Sequence, residues 1–282
     1  MPAPRLYFLV ASAAPVAAVF RRGPSGWWNV GRWDLVSGEV ETGAWFHGTM
    51  YPSRGDLSPD GTLLLSYVLK RRRAGFLDAS PPPWPDTYVT VSMLPWLHAL
   101  AAWREGTTWG RGYCFAARRG RKTPFVLGEP AAGDATPLRR RYGVQAHTVI
   151  QYAAERRRGW EERAESPPRR AGGPWDEQRS AVLWKPQPRR GGGRLILRDG
   201  GKSARRGIEG RVRAYGLEAR RGPSELPGVV CADWSPSGDL LVATDRGTLE
   251  VRDPKSLEAR RVVDLSGQAP APQAAPDWAR HW

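Results

Sequence analysis

Four histidines, two cysteines, one glycine-lysine-serine run and a group of tryptophans are the residues whose types and spacing could carry chemistry in this chain. His47, His98, His147 and His281 lie far apart, and neither H-E-x-x-H nor H-x-H spacing occurs, so a zinc enzyme has no ligand set. Cys114 and Cys231 both fall in apolar runs, the ordinary setting of a free buried thiol, and two cysteines make neither a disulfide framework nor a cysteine-rich zinc site. Gly200-Gly201-Lys202-Ser203 has the ending of a G-x-x-x-x-G-K-S phosphate loop. The position of its first glycine is Ile196, however, and no run of helix formers follows, so a surface turn is expected. No G-x-S-x-G elbow anchors a serine hydrolase. Glu161-Glu162 and Asp176-Glu177 sit in polar stretches, without the apolar pocket that raises a carboxyl pKa for acid catalysis. The best ligand-pocket candidate is therefore the segment holding Trp96, His98, Trp103 and Trp109, where aromatics surround one titratable group. The plainer reading of that segment is packing around a partly solvated histidine. A second candidate contact is the basic run at 70–73, with Arg71, Arg72 and Arg73. No cofactor and no metal are expected.

The elements that would position these residues are short strands. Between 229 and 266 four apolar runs are each closed by a turn signal: Ser235-Pro236-Ser237-Gly238, then Asp245-Arg246-Gly247, then Asp253-Pro254. Tight turns join antiparallel neighbours, so this stretch predicts a four-stranded meander. A frame D-x-S-P-x-G-x-L-L runs from Asp233 to Leu241 and also from Asp56 to Leu64, 177 residues earlier. A quarter of that separation is about 44 residues, one propeller blade. Strand, S-P-x-G turn, strand, turn, strand in this form resembles the blades of WD-repeat-like β-propellers, over about 40 residues at each end of the chain. The G-H and W-D dipeptides of that family do not recur in regular positions. The resemblance implies an all-β fold, a single β-propeller with long irregular loops. Meanders are expected at 6–47, 55–104, 110–153, 180–218 and 228–266, giving five four-stranded blades. Six blades are the alternative if the middle hides one, and four if the arginine-rich segment is an insertion. The propeller domain is expected over 1–267, with a flexible basic insertion at 154–179 and a Pro/Ala-rich tail at 268–282.

Within 1–20 the chain reads either as two strands, 7–11 and 16–20, or as a signal peptide split by Pro15. The two-strand reading places the protein in the cytoplasm, and the leader reading would export it. No apolar run reaches the ~18 residues of a membrane helix, so no membrane partner is expected. The length of 282 residues suits one all-β domain, and the 14 tryptophans are suited to packing stacked sheets. The net charge is +15, and it is spread as arginine doublets and triplets over the whole chain rather than gathered in one block.

Three functions follow as expectations. A propeller resembling the WD-repeat-like family implies a non-catalytic scaffold for protein–protein interaction, here with an acidic partner met by arginine and tryptophan anchors, and a monomer is expected. Arginine beside aromatics, as at Arg32-Trp33, Trp103-Arg104 and Arg158-Gly159-Trp160, would also serve sequence-tolerant nucleic-acid binding. The third is a hydrolase or lyase with its site on the propeller face, for which a deep pocket with converging carboxylates or histidine is the distinguishing feature.

Overall fold

The computed structural model describes residues 3–23, 26–70, 87–106, 110, 112–118, 120, 123–147, 152–163, 181–188, 192–202, 211–219 and 222–282. The first sheet is a meander of β1 (Arg5–Val10), β2 (Val16–Arg22), β3 (Trp27–Asp34) and β4 (Val40–His47), each antiparallel to the next. In the second, β7 (Leu63–Leu69) pairs with the short β5 (Thr49–Met50) and β6 (Asp56–Leu57) on one side, and with β8 (Thr87–Met93) on the other. β9 (Ala101–Arg104) follows β8. Among the described residues the third has β10 (Tyr113–Ala117) and β12 (Tyr142–Ala146); between them the chain lends β11 (Ala132–Gly133) to β9 and winds α1 (Thr136–Arg141). After α2 (Ala153–Arg157) the fourth sheet runs β13 (Glu161–Glu162), β14 (Ala181–Pro186), β15 (Arg194–Lys202), β16 (Arg211–Ala219), β17 (Gly222–Glu225). The last is β18 (Val229–Trp234), β19 (Leu240–Thr244), β20 (Thr248–Arg252), β21 (Ala259–Asp264). The chain is thus all-β, and its five antiparallel sheets are compatible with a β-propeller-like fold.

The sheets meet through a few strands. β1 lies beside β18 and β6, β6 beside β10, and β16 beside β18. Buried side chains of the first and last sheets form one core, in which Leu6, Phe8, Trp28 and Trp33 pack with Leu241, Leu249 and Val251. Arginines bind these two sheets further. Arg21 donates to the carbonyls of Leu265 at 2.7 Å and Gln268 at 2.6 Å, and Arg261 donates to that of Leu35 at 3.3 Å. Most of the stretch 1–20, readable either as two strands or as a signal peptide, falls in β1 and β2, two paired strands with buried side chains in this core. Among the described residues no helix is long and apolar enough to cross a membrane.

The third sheet departs from the expected four-stranded unit at 110–153. Pro124 has no N–H to give a ladder, so Phe125 makes only a single parallel bridge to Val144. Residues 136–141 then coil into α1, with Pro137 in the first turn and three arginines in the last, where cations suit the helix C-terminus. At the start of the stretch expected as a flexible basic insertion, 154–179, α2 and β13 are regular structure, and Ala154, Glu155 and Trp160 are buried. The remainder of that stretch, from 164, lies outside the described residues. The tail at 268–282 ends with Trp282, whose indole N–H donates to the Asp134 carbonyl at 2.6 Å.

The two D-x-S-P-x-G copies fold alike. The hydroxyl of Ser58 accepts from the Leu63 N–H at 2.9 Å, and Gly61 donates to the Ser58 carbonyl at 2.8 Å. The Ser235 hydroxyl accepts from Asp239 at 2.9 Å, and Gly238 donates to the Ser235 carbonyl at 3.0 Å. Both glycines are left-handed, with φ of 73° and 94°. At Gly61 a Cβ would also stand 2.9 Å from the Val16 Cβ, because this turn is packed on the first sheet. Gly61→Ala is therefore expected to cost about 1–2 kcal/mol, read as a lower urea midpoint with an unchanged slope.

Candidate functional site

One cavity of about 390 Å³ opens where the sheets converge. The ends of β1, β6, β10, β14 and β18 all contribute to its wall, one strand from each of the five sheets, and α2 and His147 complete it. Both serine-proline turns reach its edge through Pro59, Ser235 and Pro236.

Charged groups converge beneath and around this cavity, and most hold one another. Arg213 of β16 donates to Glu155 of α2 at 2.5 Å and stands 3.5 Å from the carboxylate of Asp199, with all three side chains largely out of solvent. Burial pushes the Glu155 carboxyl up, but the guanidinium of Arg213 and then that of Arg158 outweigh it and hold the group below its ordinary value. Lys185 of β14 pairs with Asp233 of β18, and the same Asp233 oxygen accepts from the Trp234 N–H at 2.7 Å. Trp234 returns its indole N–H to the Lys185 carbonyl at 3.1 Å, so the fourth and fifth sheets are tied twice. Asp56 of β6 accepts from the Phe115 N–H of β10 at 2.9 Å, tying the second sheet to the third. Burial raises the Asp56 pKa against the pull of Arg158. Arg158 donates at 3.3 Å to both the Tyr7 hydroxyl and the Gly55 carbonyl. Burial works against its charge but is outweighed by Tyr7, Asp56, Glu155 and Asp233, so its pKa is raised.

Two other groups set the chemistry of the wall. Burial pushes the thiols of Cys114 and Cys231 up to about 12, so both stay protonated and neither is an activated nucleophile. His147 is 4% exposed, and its backbone N–H donates to Gly112 at 3.0 Å. Neither of its ring nitrogens has a hydrogen-bond partner among the described residues. Burial, and then the charges of Arg158 and Arg157, pull its pKa down to about 4. Among the described residues no group of three or more His, Cys, Asp or Glu could hold a metal ion.

The residues favoured from sequence sit elsewhere. Trp103 is buried in the core of the second and third sheets and donates its indole N–H to the Gly128 carbonyl at 2.9 Å. Trp96 is half-buried in the loop between β8 and β9, where its indole nitrogen has no partner among the described residues, and His98 is exposed in the same loop. None of the three lines the cavity. Trp109, Arg71, Arg72 and Arg73 lie outside the described residues.

The cavity groups escaped sequence reading for different reasons. Asp56 and Asp233 carried a usable signal, since each opens a copy of the D-x-S-P-x-G frame. Glu155, Arg158 and Arg213 carried none: they are indistinguishable in type from the arginines and carboxylates of solvated loops. His147 is distinguished only by burial, which spacing does not reveal. Comparison with known proteins returns no matching family model and no matching curated protein.

Proposed function

We propose that this chain is a five-bladed, WD-repeat-like propeller that acts as a non-catalytic scaffold and binds an acidic protein partner. The contacts of β1 with both β6 and β18, and the convergence of one strand per sheet on a common cavity, support a ring closed between the first and last sheets. The engaged state of the cavity's carboxylates supports the non-catalytic reading over the hydrolase or lyase one. Glu155, Asp233 and Asp56 each bind a neighbouring sheet or helix rather than standing ready to move a proton.

The observation that carries the partner is the surface of α1. Arg140 and Arg141 are exposed there, and exposed Arg118 reaches across to the Arg140 carbonyl. The Arg139 guanidinium lies 4.8 Å from the Phe125 ring and that of Arg141 5.6 Å from the Tyr142 ring. Flat cations held over aromatic faces, beside exposed Val126, make the anchor chemistry of interfaces that take acidic chains.

The test is a fluorescence titration of the full chain with a poly-glutamate peptide across a salt series, with a single-stranded oligonucleotide in parallel. Peptide binding should weaken as salt rises, and Arg118→Glu combined with Arg140→Glu should weaken it about tenfold or more, since like charges then face the ligand. Tighter and more steeply salt-dependent binding of the oligonucleotide would favour the nucleic-acid reading instead. Absence of binding to either at low salt would reject the surface as a polyanion contact.

A further inference from the structure

We propose that the central cavity is a binding site for a small hydroxylated organic anion, whose carboxylate or phosphate head is held by Arg157 and whose hydroxyl is read by His147. The inference goes beyond the scaffold reading and does not depend on it, since the α1 surface is not part of the cavity wall.

Three observations lead there. The first is His147 itself. A neutral imidazole offers one N–H donor and one acceptor. Here the residue lines a cavity and is more than nine-tenths buried, and neither ring nitrogen has a partner among the described residues. Buried polar groups in native proteins are paired, and leaving one unpaired costs about 1–3 kcal/mol. A hydroxyl answers one of the two nitrogens, accepting from the N–H or donating to the bare nitrogen; the two directions diverge on the ring, so a second hydroxyl is needed for the other.

The second is the sign of the charge left over. Lys185 is neutralised by Asp233 and Arg213 by Glu155 and Asp199. Arg158 faces Asp56, Glu155 and Asp233. Arg157, exposed at the cavity wall, is held by an uncharged group. With the Gln145 amide oriented to satisfy both, its oxygen accepts from the two terminal guanidinium nitrogens at 3.1 and 2.7 Å. That is a planar guanidinium positioned by a neutral neighbour, acting on Asp56 at longer range but in no ion pair among the described residues, an arrangement that can take a carboxylate or phosphate.

The third is size. A volume of about 390 Å³ is in the range of small-molecule sites. Its wall is mixed, with Leu57, Phe115 and Trp234 supplying apolar faces between the polar groups. A compact polar metabolite with a short carbon frame fits that lining better than a hydrophobe.

Isothermal titration of the full chain tests this with four probes: gluconate, glycerol 3-phosphate, sorbitol and sulfate. Saturable binding of gluconate or glycerol 3-phosphate is expected, and whichever of the two binds tighter identifies the head group. Sorbitol, without the anion, and sulfate, without the hydroxyls, should bind at least about tenfold more weakly. Arg157→Met and His147→Phe should each weaken the tighter probe by about tenfold or more, the loss expected for one hydrogen bond to a charged or buried group. Arg157 is exposed, so its variant retains a readable fold even where the histidine variant does not. Labelled imidazole in the parent chain should in addition shift on saturation with the organic anion. Failure of both organic anions to bind at 10 mM, about the weakest affinity worth the name of a site, overturns the proposal. So does binding that survives Arg157→Met, or sulfate matching the organic anions.

Discussion

Arg213→Met is expected to destabilise the chain by about 3–5 kcal/mol, the loss found when one partner of a buried ion pair is removed. The size of the effect follows from what remains. Glu155 and Asp199 are both buried, and both lie against that one guanidinium. Methionine fills much of the volume but returns no charge, so two carboxylates would be left in a region that already penalises ionisation. A domain of ordinary stability holds only about 5–15 kcal/mol in total, so a large part of it goes. Urea denaturation at pH 7 measures the loss. A second variant separates lost charge from lost packing. Glu155→Gln added to Arg213→Met should recover part of the stability, since it removes one of the stranded charges, whereas a packing defect would be unaffected. The pH dependence gives a further check. In the parent, the Glu155 carboxyl is held below its ordinary 4.5, so its contribution is present above 4.5 and lost as pH falls through the lowered value. Without Arg213 the largest influence opposing burial is gone, and Arg158 is left to oppose it, so the pKa of the carboxyl should rise from its parent value. The variant should then regain stability, relative to the parent, as pH falls and the carboxyl takes up a proton.

That network also marks where sequence reading reached its limit. The meanders at both ends were legible because their turns use residues with few alternatives. Asp-Arg-Gly at 245–247 and Ser-Pro-Ser-Gly at 235–238 each put a glycine at positive φ between two apolar runs. The repeated frame was legible for the same reason, and its leading aspartates turn out to hold neighbouring sheets together at the cavity. The middle of the chain was not legible. Between β10 and β12 a proline and a run of arginines break the two-residue alternation, and the chain coils into α1 instead of adding strands. At α2 the sequence Ala-Ala-Glu-Arg-Arg reads as the start of a solvated basic stretch. Its Ala154 and Glu155 are buried, the glutamate meeting an arginine 58 residues away, a contact that local composition does not encode. The tryptophan-rich segment carries the opposite ambiguity, since its residue types suit a ligand platform and a core equally. Trp103 looks like a ligand platform by type, and in the fold its indole N–H is consumed by a backbone carbonyl and its ring by the core.

His147 gives the second large effect, and its sign is the reverse of the usual stabilising histidine. In the folded chain its pKa is about 4, against 6.5 for an ordinary histidine. Between those values the unfolded chain binds the proton and the folded chain does not, so stability must fall as pH drops from 6.5 to about 4, and level off below. A gap of that width corresponds to about 3 kcal/mol at its full extent. His147→Gln, which cannot titrate, should lack this decline, and the difference between parent and variant across urea midpoints from pH 7 to 4 isolates it. Other groups facing the cavity do not mimic the effect. The Glu155 contribution is lost only below 4.5, and the raised pKa of Asp56 acts in the opposite direction, its burial cost being relieved as pH falls. Equal slopes in parent and variant would mean that the imidazole is not held neutral by burial and by Arg158 and Arg157. The same measurement bears on the cavity's occupant. An organic anion seated against Arg157 masks one of the charges that keep His147 unprotonated, so the decline in the parent should shrink when gluconate is present at saturation and stay unchanged with sorbitol.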